Sequence, residues 1–253
     1  MNSLAVVLGY FVPIAVVVAL FVLLKAPRLS LPVFRSPAAE TWVALLLFAL
    51  VVGIAVGASL LSKPIRGVWA ASSAINGRVV LIWSVMLLPF LVTLLIRKQT
   101  LETCFIPKEK VVPLLAAAIG MGFLAVVVYL LVIGKLATLA AVATKLFTFP
   151  SFFLLAPIAI EEFIFRGFLL ARLTAALGRH KGIVVSAVMF GLAHYPRYLV
   201  SSQMSFVSAT LSIILIVAVA VGGGYGIYAV RCMFYGVFIH WCMDVAPTAV
   251  SMN

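Results

Sequence analysis

The chain has 253 residues, of which 66% are hydrophobic and 9% charged, against about 45–50% and 25% for a soluble globular domain. That composition excludes a soluble domain and places any chemistry in or beside a bilayer. The net charge of +12 would point to nucleic acid in a soluble protein, but here the cations lie in short stretches between apolar runs, where they report topology.

A span needs about 20 apolar residues, and hydropathy predicts eight: Leu4–Leu24, Thr41–Leu61, Val79–Ile96, Val111–Ile133, Leu146–Leu170, Ile183–Tyr195, Ser205–Val221 and Cys232–Val250. The sixth is the shortest and can extend through Pro196 to Val200. The first run is too long for a signal-peptide core and no cation precedes it, so it reads as a retained helix. The expected fold is an all-α, polytopic transmembrane bundle of about eight spans. It reads as one integral membrane domain over 1–253. Odd-numbered loops hold 11 Lys and Arg and even-numbered loops 6, which favours odd loops in the cytoplasm and both termini outside. Gly53 and Gly57 form a GxxxG expected to serve close helix packing, and Gly222–Gly224 is expected to break the chain before the last span. Pro157 is expected to kink the fifth span near its polar residues. The three cysteines form no CxxC pair and have no disulfide-rich spacing.

The acids are the informative residues. Glu40, Glu102 and Glu109 fall in loops or at span edges, whereas Glu161, Glu162 and Asp244 fall inside apolar runs. His180 sits in a basic loop, while His194 and His240 lie within or at the ends of spans. An ionisable group at that depth costs about 2.5 kcal/mol or more, so it normally faces the bundle interior and marks function. At 1.5 Å per residue, Glu161, His194, His240 and Asp244 all lie about 12–18 Å from the same side. Agreement across three helices points to one shared site.

Spacing adds detail. His240 and Asp244 stand at i and i+4, one above the other on a helix face. Glu162 and Arg166 have the same spacing, with the acid N-terminal, the better order for an ion pair. Glu161 points about 100° away from Glu162. One carboxylate can thus be neutralised while its neighbour faces a cavity. An HExxH zinc site, a pair of buried Asp and a serine nucleophile in a GxSG setting are all absent from the chain. What remains is a His and carboxylate set able to position a water directly or through a metal.

These residues resemble a known family. Glu161-Glu162-Phe-Ile-Phe-Arg166 is similar to an EExxxR motif, Phe190-Gly-Leu-Ala-His194 to FxxxH, and His240-Trp-Cys-Met-Asp244 to HxxxN/D of the CPBP intramembrane proteases. That family includes CAAX prenyl endopeptidases of the Rce1 type and bacteriocin-processing or immunity proteins. The three motifs lie in the half 146–251, read as the catalytic-motif half. The resemblance implies an intramembrane endopeptidase with Glu161 as general base, His194 and His240 holding water, a metal or the developing oxyanion, and Glu162 with Arg166 as structural support. Glu161, His194, His240 and Asp244 are the candidate catalytic residues and also the ligands for a Zn²⁺, the cofactor the resemblance raises beside a metal-free mechanism. Asp244 stands where Rce1-type members carry Asn. An ionised Asp cannot donate to an oxyanion, so it suits ligation or the orientation of a His, and CAAX specificity is less directly implied. The partners implied are a peptide or membrane-protein substrate, including a lipidated one, and the bilayer of a bacterial or archaeal cell; no nucleic acid is expected.

Other readings accommodate the same residues. A buried polar network can simply hold a bundle together, although such glue is usually Ser, Thr, Asn or Gln. A non-enzymatic immunity or scaffold protein of the same fold, and an ion-coupled transporter with midplane carboxylates, are the alternatives to a protease. Tyr195, Tyr198 and Trp241 read as interfacial or packing aromatics, and Cys242 lies on a different helix face from His240.

Overall fold

The computed structural model describes residues 8–9, 11–16, 19–20, 31–61 and 77–250. Among them the protein is all-helical and has no strand. Helices α1 (Pro37–Leu61), α2 (Gly77–Ile96), α3 (Val111–Val132) and α4 (Leu139–Leu146) precede the motif-bearing helix, which begins as α5 (Phe149–Glu162). That helix passes through a π-helical segment, Phe163–Leu169, and ends as α6 (Leu170–Leu177). It is followed by α7 (Arg179–Ala193), a π turn at Arg197–Ser201, α8 (Phe206–Val230) and α9 (Met233–Val250). Apolar residues around nearly the whole circumference of these helices suit burial in lipid on one side and in the bundle on the other.

Among the described residues, four helices are long and apolar enough to cross a membrane: Pro37–Leu60, Val111–Val132, Arg179–Ser201 and Phe206–Val230. A fifth crossing arises if Leu136–Leu146 and Phe149–Leu177, which meet at 81°, form one broken span. Two further expected spans exist as helices below that threshold. The apolar part of α2 is the shorter Leu81–Ile96, and α9 loses hydropathy to His240 and Asp244. Leu4–Leu24 lies largely outside the described residues; its described part is helical.

Several expectations change. The fifth span does not start at Leu146, because the chain turns sharply between α4 and α5. Nor does it end at Leu170, since helix continues to Leu177 and takes Arg172 out of the expected loop. Gly222–Gly224 is no break but lies inside α8. Gly224 serves packing instead, since a Cβ there would meet Ile183 Cγ2 at 2.9 Å, where α8 crosses α7. Gly53 and Gly57 meet no described atom within 4 Å of a built Cβ, so the GxxxG makes no close helix contact among the described residues. Pro157 lies buried inside α5, and the sharp bend falls before that helix.

One buried polar cluster ties the N-terminal helices to the motif-bearing helix. Arg172, 0% exposed, donates Nε to Glu40 Oε2 at 3.1 Å and a further N–H to Gln99 Oε1. Glu40, 2% exposed, accepts on Oε1 from Arg97 at 2.6 Å and from Gln99 at 2.8 Å. The Arg172 guanidinium covers the Phe168 ring at 3.3 Å. Removing either partner would strand a charge in a dry interior, which makes the cluster a firm tie. Nearby, Met233 N–H donates to the Phe105 carbonyl at 2.9 Å. The start of α1, the loop after α2, the start of α6 and the start of α9 are therefore tied together.

Candidate active site

The site is assembled by α5 and its π-helical continuation, α7 and α9. Glu162, 2% exposed, is its centre. Its Oε1 accepts from Arg166 Nη1 at 2.9 Å and from His240 Nδ1 at 2.8 Å. The i,i+4 pair predicted from spacing is formed, and a histidine from another helix joins it. Gly236, one turn before His240, makes this approach possible. A Cβ there would lie 2.5 Å from Glu162 Oε2, so a larger residue would push the carboxylate away.

His240 Nε2 points toward Asp244 Oδ2 at 3.7 Å, beyond hydrogen-bond distance. Orientation of His240 thus falls to Glu162, and Asp244 adds charge beside the other ring nitrogen. His194 donates Nδ1 to the Phe190 carbonyl at 2.8 Å. A carbonyl only accepts, so that bond fixes the tautomer and leaves Nε2 for water or substrate.

The Phe190 ring binds these parts together. It lies edge-on to His194 at 4.7 Å and to His240 at 6.4 Å, and carries the Arg166 guanidinium 3.8 Å from its centroid. The aromatic of the second motif is thus the spacer between both histidines and the buried cation.

Glu161 is partly exposed, unlike Glu162. It interacts electrostatically with His240, Asp244, Arg197 and Arg166. Neighbouring glutamates on one helix therefore have different surroundings: one is held by hydrogen bonds, the other interacts with charged groups of α9, of the π turn after α7 and of its own helix. The six polar residues chosen from sequence, Glu161, Glu162, Arg166, His194, His240 and Asp244, lie in one region. Arg197 was missed. It interacts with Glu161, Asp244 and Tyr198, and its signal was its position three residues after His194, on the same helix side.

On another face of the motif-bearing helix lies an apolar cavity of about 250 Å³, lined among others by Leu87, Leu91, Ile160, Phe163 and Met233. Ile160 and Phe163 share that face, and at about 100° per residue Glu161 points to roughly the opposite side of the helix. Trp241 and Tyr195 are packing residues, as expected. Trp241 donates Nε1 to the Ser151 carbonyl, and Tyr195 pairs with Thr210.

His240 and His194 each bond through Nδ1, which leaves both Nε2 atoms open. Among the described residues, no three His, Cys, Asp or Glu side chains stand in a group that could hold an ion.

No curated protein and no solved structure matches the chain. Residues 142–246, which contain every polar group of this site, match the family model described as type II CAAX prenyl endopeptidase Rce1-like.

Proposed function

We propose that the protein is an intramembrane endopeptidase, in a bacterial or archaeal cell membrane, that hydrolyses a peptide bond in a membrane-associated, prenylated substrate. The observation that carries the proposal is the pairing of Glu162 with both Arg166 and His240. The adjacent Glu161 takes no part in that pairing and interacts electrostatically with His240, Asp244, Arg197 and Arg166.

In this reading Glu161 takes a proton from water, and the resulting oxygen attacks the scissile carbonyl carbon. The carbon–nitrogen bond then breaks and the proton passes to the leaving amine. His194 Nε2 orients the water through its lone pair. His240, as the imidazolium held by Glu162 through Nδ1–H, donates from Nε2 to the developing oxyanion, with the Asp244 carboxylate close to that nitrogen.

The test is hydrolysis of a farnesylated CAAX-type peptide by the purified protein in liposomes. Glu161→Gln, folded as judged by its thermal transition, is expected to lose about 10³-fold in kcat. Wild-type cleavage by that variant would remove Glu161 from the reaction. Zinc chemistry is tested on the same preparation. Activity that survives exhaustive chelation supports the glutamate-and-water reading, while activity lost to chelation and restored by Zn²⁺ replaces it with a metal-bound one.

A further inference from the structure

The motif-bearing helix has two buried charged anchors that must be satisfied on different neighbours. Glu162 faces His240 on α9, while Arg172 faces Glu40 on α1 and Gln99 in the loop after α2. In an uninterrupted α-helix each residue advances about 100°, and that fixes the angle between the two anchors. Between them lies the π-helical segment Phe163–Leu169. Its wider turns shift everything beyond it by on the order of 100° relative to a continuous α-helix. The segment therefore sets the angle at which both anchors meet their partners.

π-Helical geometry is rarely stable alone and needs outside support. Two side chains supply it. Ser186, buried on α7, donates its hydroxyl to the Phe165 carbonyl at 2.9 Å, the same carbonyl that accepts the Leu170 N–H in the five-residue π pattern. Arg172 donates Nη1 to the Phe168 carbonyl at 3.1 Å and stacks on the Phe168 ring. One support comes from a neighbouring helix and the other from the next turn.

We infer that Ser186 and Arg172 are positioning residues that hold 163–169 in its π form, and through it the angle at which Glu161 and Glu162 face His240 and Asp244. Neither reaches substrate. The inference rests on the endopeptidase reading only for its kinetic consequence; its structural half stands apart from it.

The experiment compares wild type with Ser186→Ala, Ser186→Thr and Arg172→Lys in two measurements: amide hydrogen exchange over 163–170, and hydrolysis of the farnesylated peptide in liposomes. In Ser186→Ala, exchange over the segment is expected to rise about tenfold. The same variant is expected to lose about tenfold in kcat, with KM within about twofold of wild type. Ser186→Thr, which keeps the hydroxyl, retains both wild-type values, and Arg172→Lys moves in the direction of Ser186→Ala. Wild-type exchange, or wild-type kcat, in Ser186→Ala overturns the inference. A Thr variant as impaired as the Ala variant assigns the effect to packing and overturns it too. Altered exchange in a protein whose wild type leaves the peptide intact upholds the structural half and removes the endopeptidase reading.

Discussion

His240 Nδ1 lies 2.8 Å from Glu162 Oε1, joining the first and third motifs across two helices. A carboxylate–histidine contact of this kind fixes the tautomer and ring orientation, and such partners are costly to lose. Glu162→Gln keeps an acceptor oxygen but removes the charge that balances Arg166. Its expected effect is about a 10–100-fold loss in kcat with the fold retained, smaller than the loss for Glu161→Gln. Steady-state kinetics of the two variants side by side check the ranking. Equal losses would mean that the two glutamates share one role.

Arg166 is 8% exposed and Glu162 2%, so their pair is effectively dry. Arg166→Met removes the permanent cation beside the buried Glu162 and leaves His240 as its remaining partner, for which destabilisation of up to about 3–5 kcal/mol is expected. The double variant Glu162→Leu with Arg166→Met removes both charges and is expected to recover most of that stability without recovering activity. Thermal or denaturant unfolding in detergent reads the first effect, and peptide hydrolysis the second. A double variant no more stable than the single one would assign the loss to packing on Phe190.

At Gly236 a single added methyl group is expected to act on the chemistry. Its Cβ would fall 2.5 Å from Glu162 Oε2, so Gly236→Ala must displace the carboxylate or the helix. A loss in kcat of about 10²-fold is expected for a misplacement near 1 Å. Gly223→Ala is the control, because a Cβ there meets nothing within 4 Å; activity near wild type is expected.

Arg197 shares its electrostatic surroundings with Glu161 and Asp244. Arg197→Gln removes a cation that helps keep two carboxylates together in a medium of low dielectric. Activity is expected to fall about tenfold or more, with Arg197→Lys closer to wild type because it keeps the charge. Wild-type rates in Arg197→Gln would take this residue out of the site.

The all-helical fold and the polar residues of the site were legible in the sequence for one reason: ionisable groups are so costly in a bilayer that the few present stand out. Helix ends were less legible. Hydropathy sees Arg172 as a loop residue because it counts the charge and cannot see Glu40 and Gln99 waiting for it. The continuity of α8 through three glycines was hidden likewise, since whether a glycine breaks a helix or packs it depends on the neighbour it meets, here Ile183. The π-helical segment leaves no mark in hydropathy, because an apolar stretch reads the same in either winding. Partner choice was also invisible. Spacing paired Glu162 with Arg166 correctly, but nothing in the chain order shows that His240 completes that pair.

The tie between Arg172 and Glu40 bears on how far the family segment can stand alone. A fragment beginning at residue 142 would carry Arg172 into the membrane while leaving its carboxylate behind, and a chimaera that grafts 142–246 onto another helical scaffold would do the same. The recognisable unit and the self-sufficient unit thus have different borders. Transplanting the chemistry means transplanting α1 and the loop that holds Arg97 and Gln99 along with it.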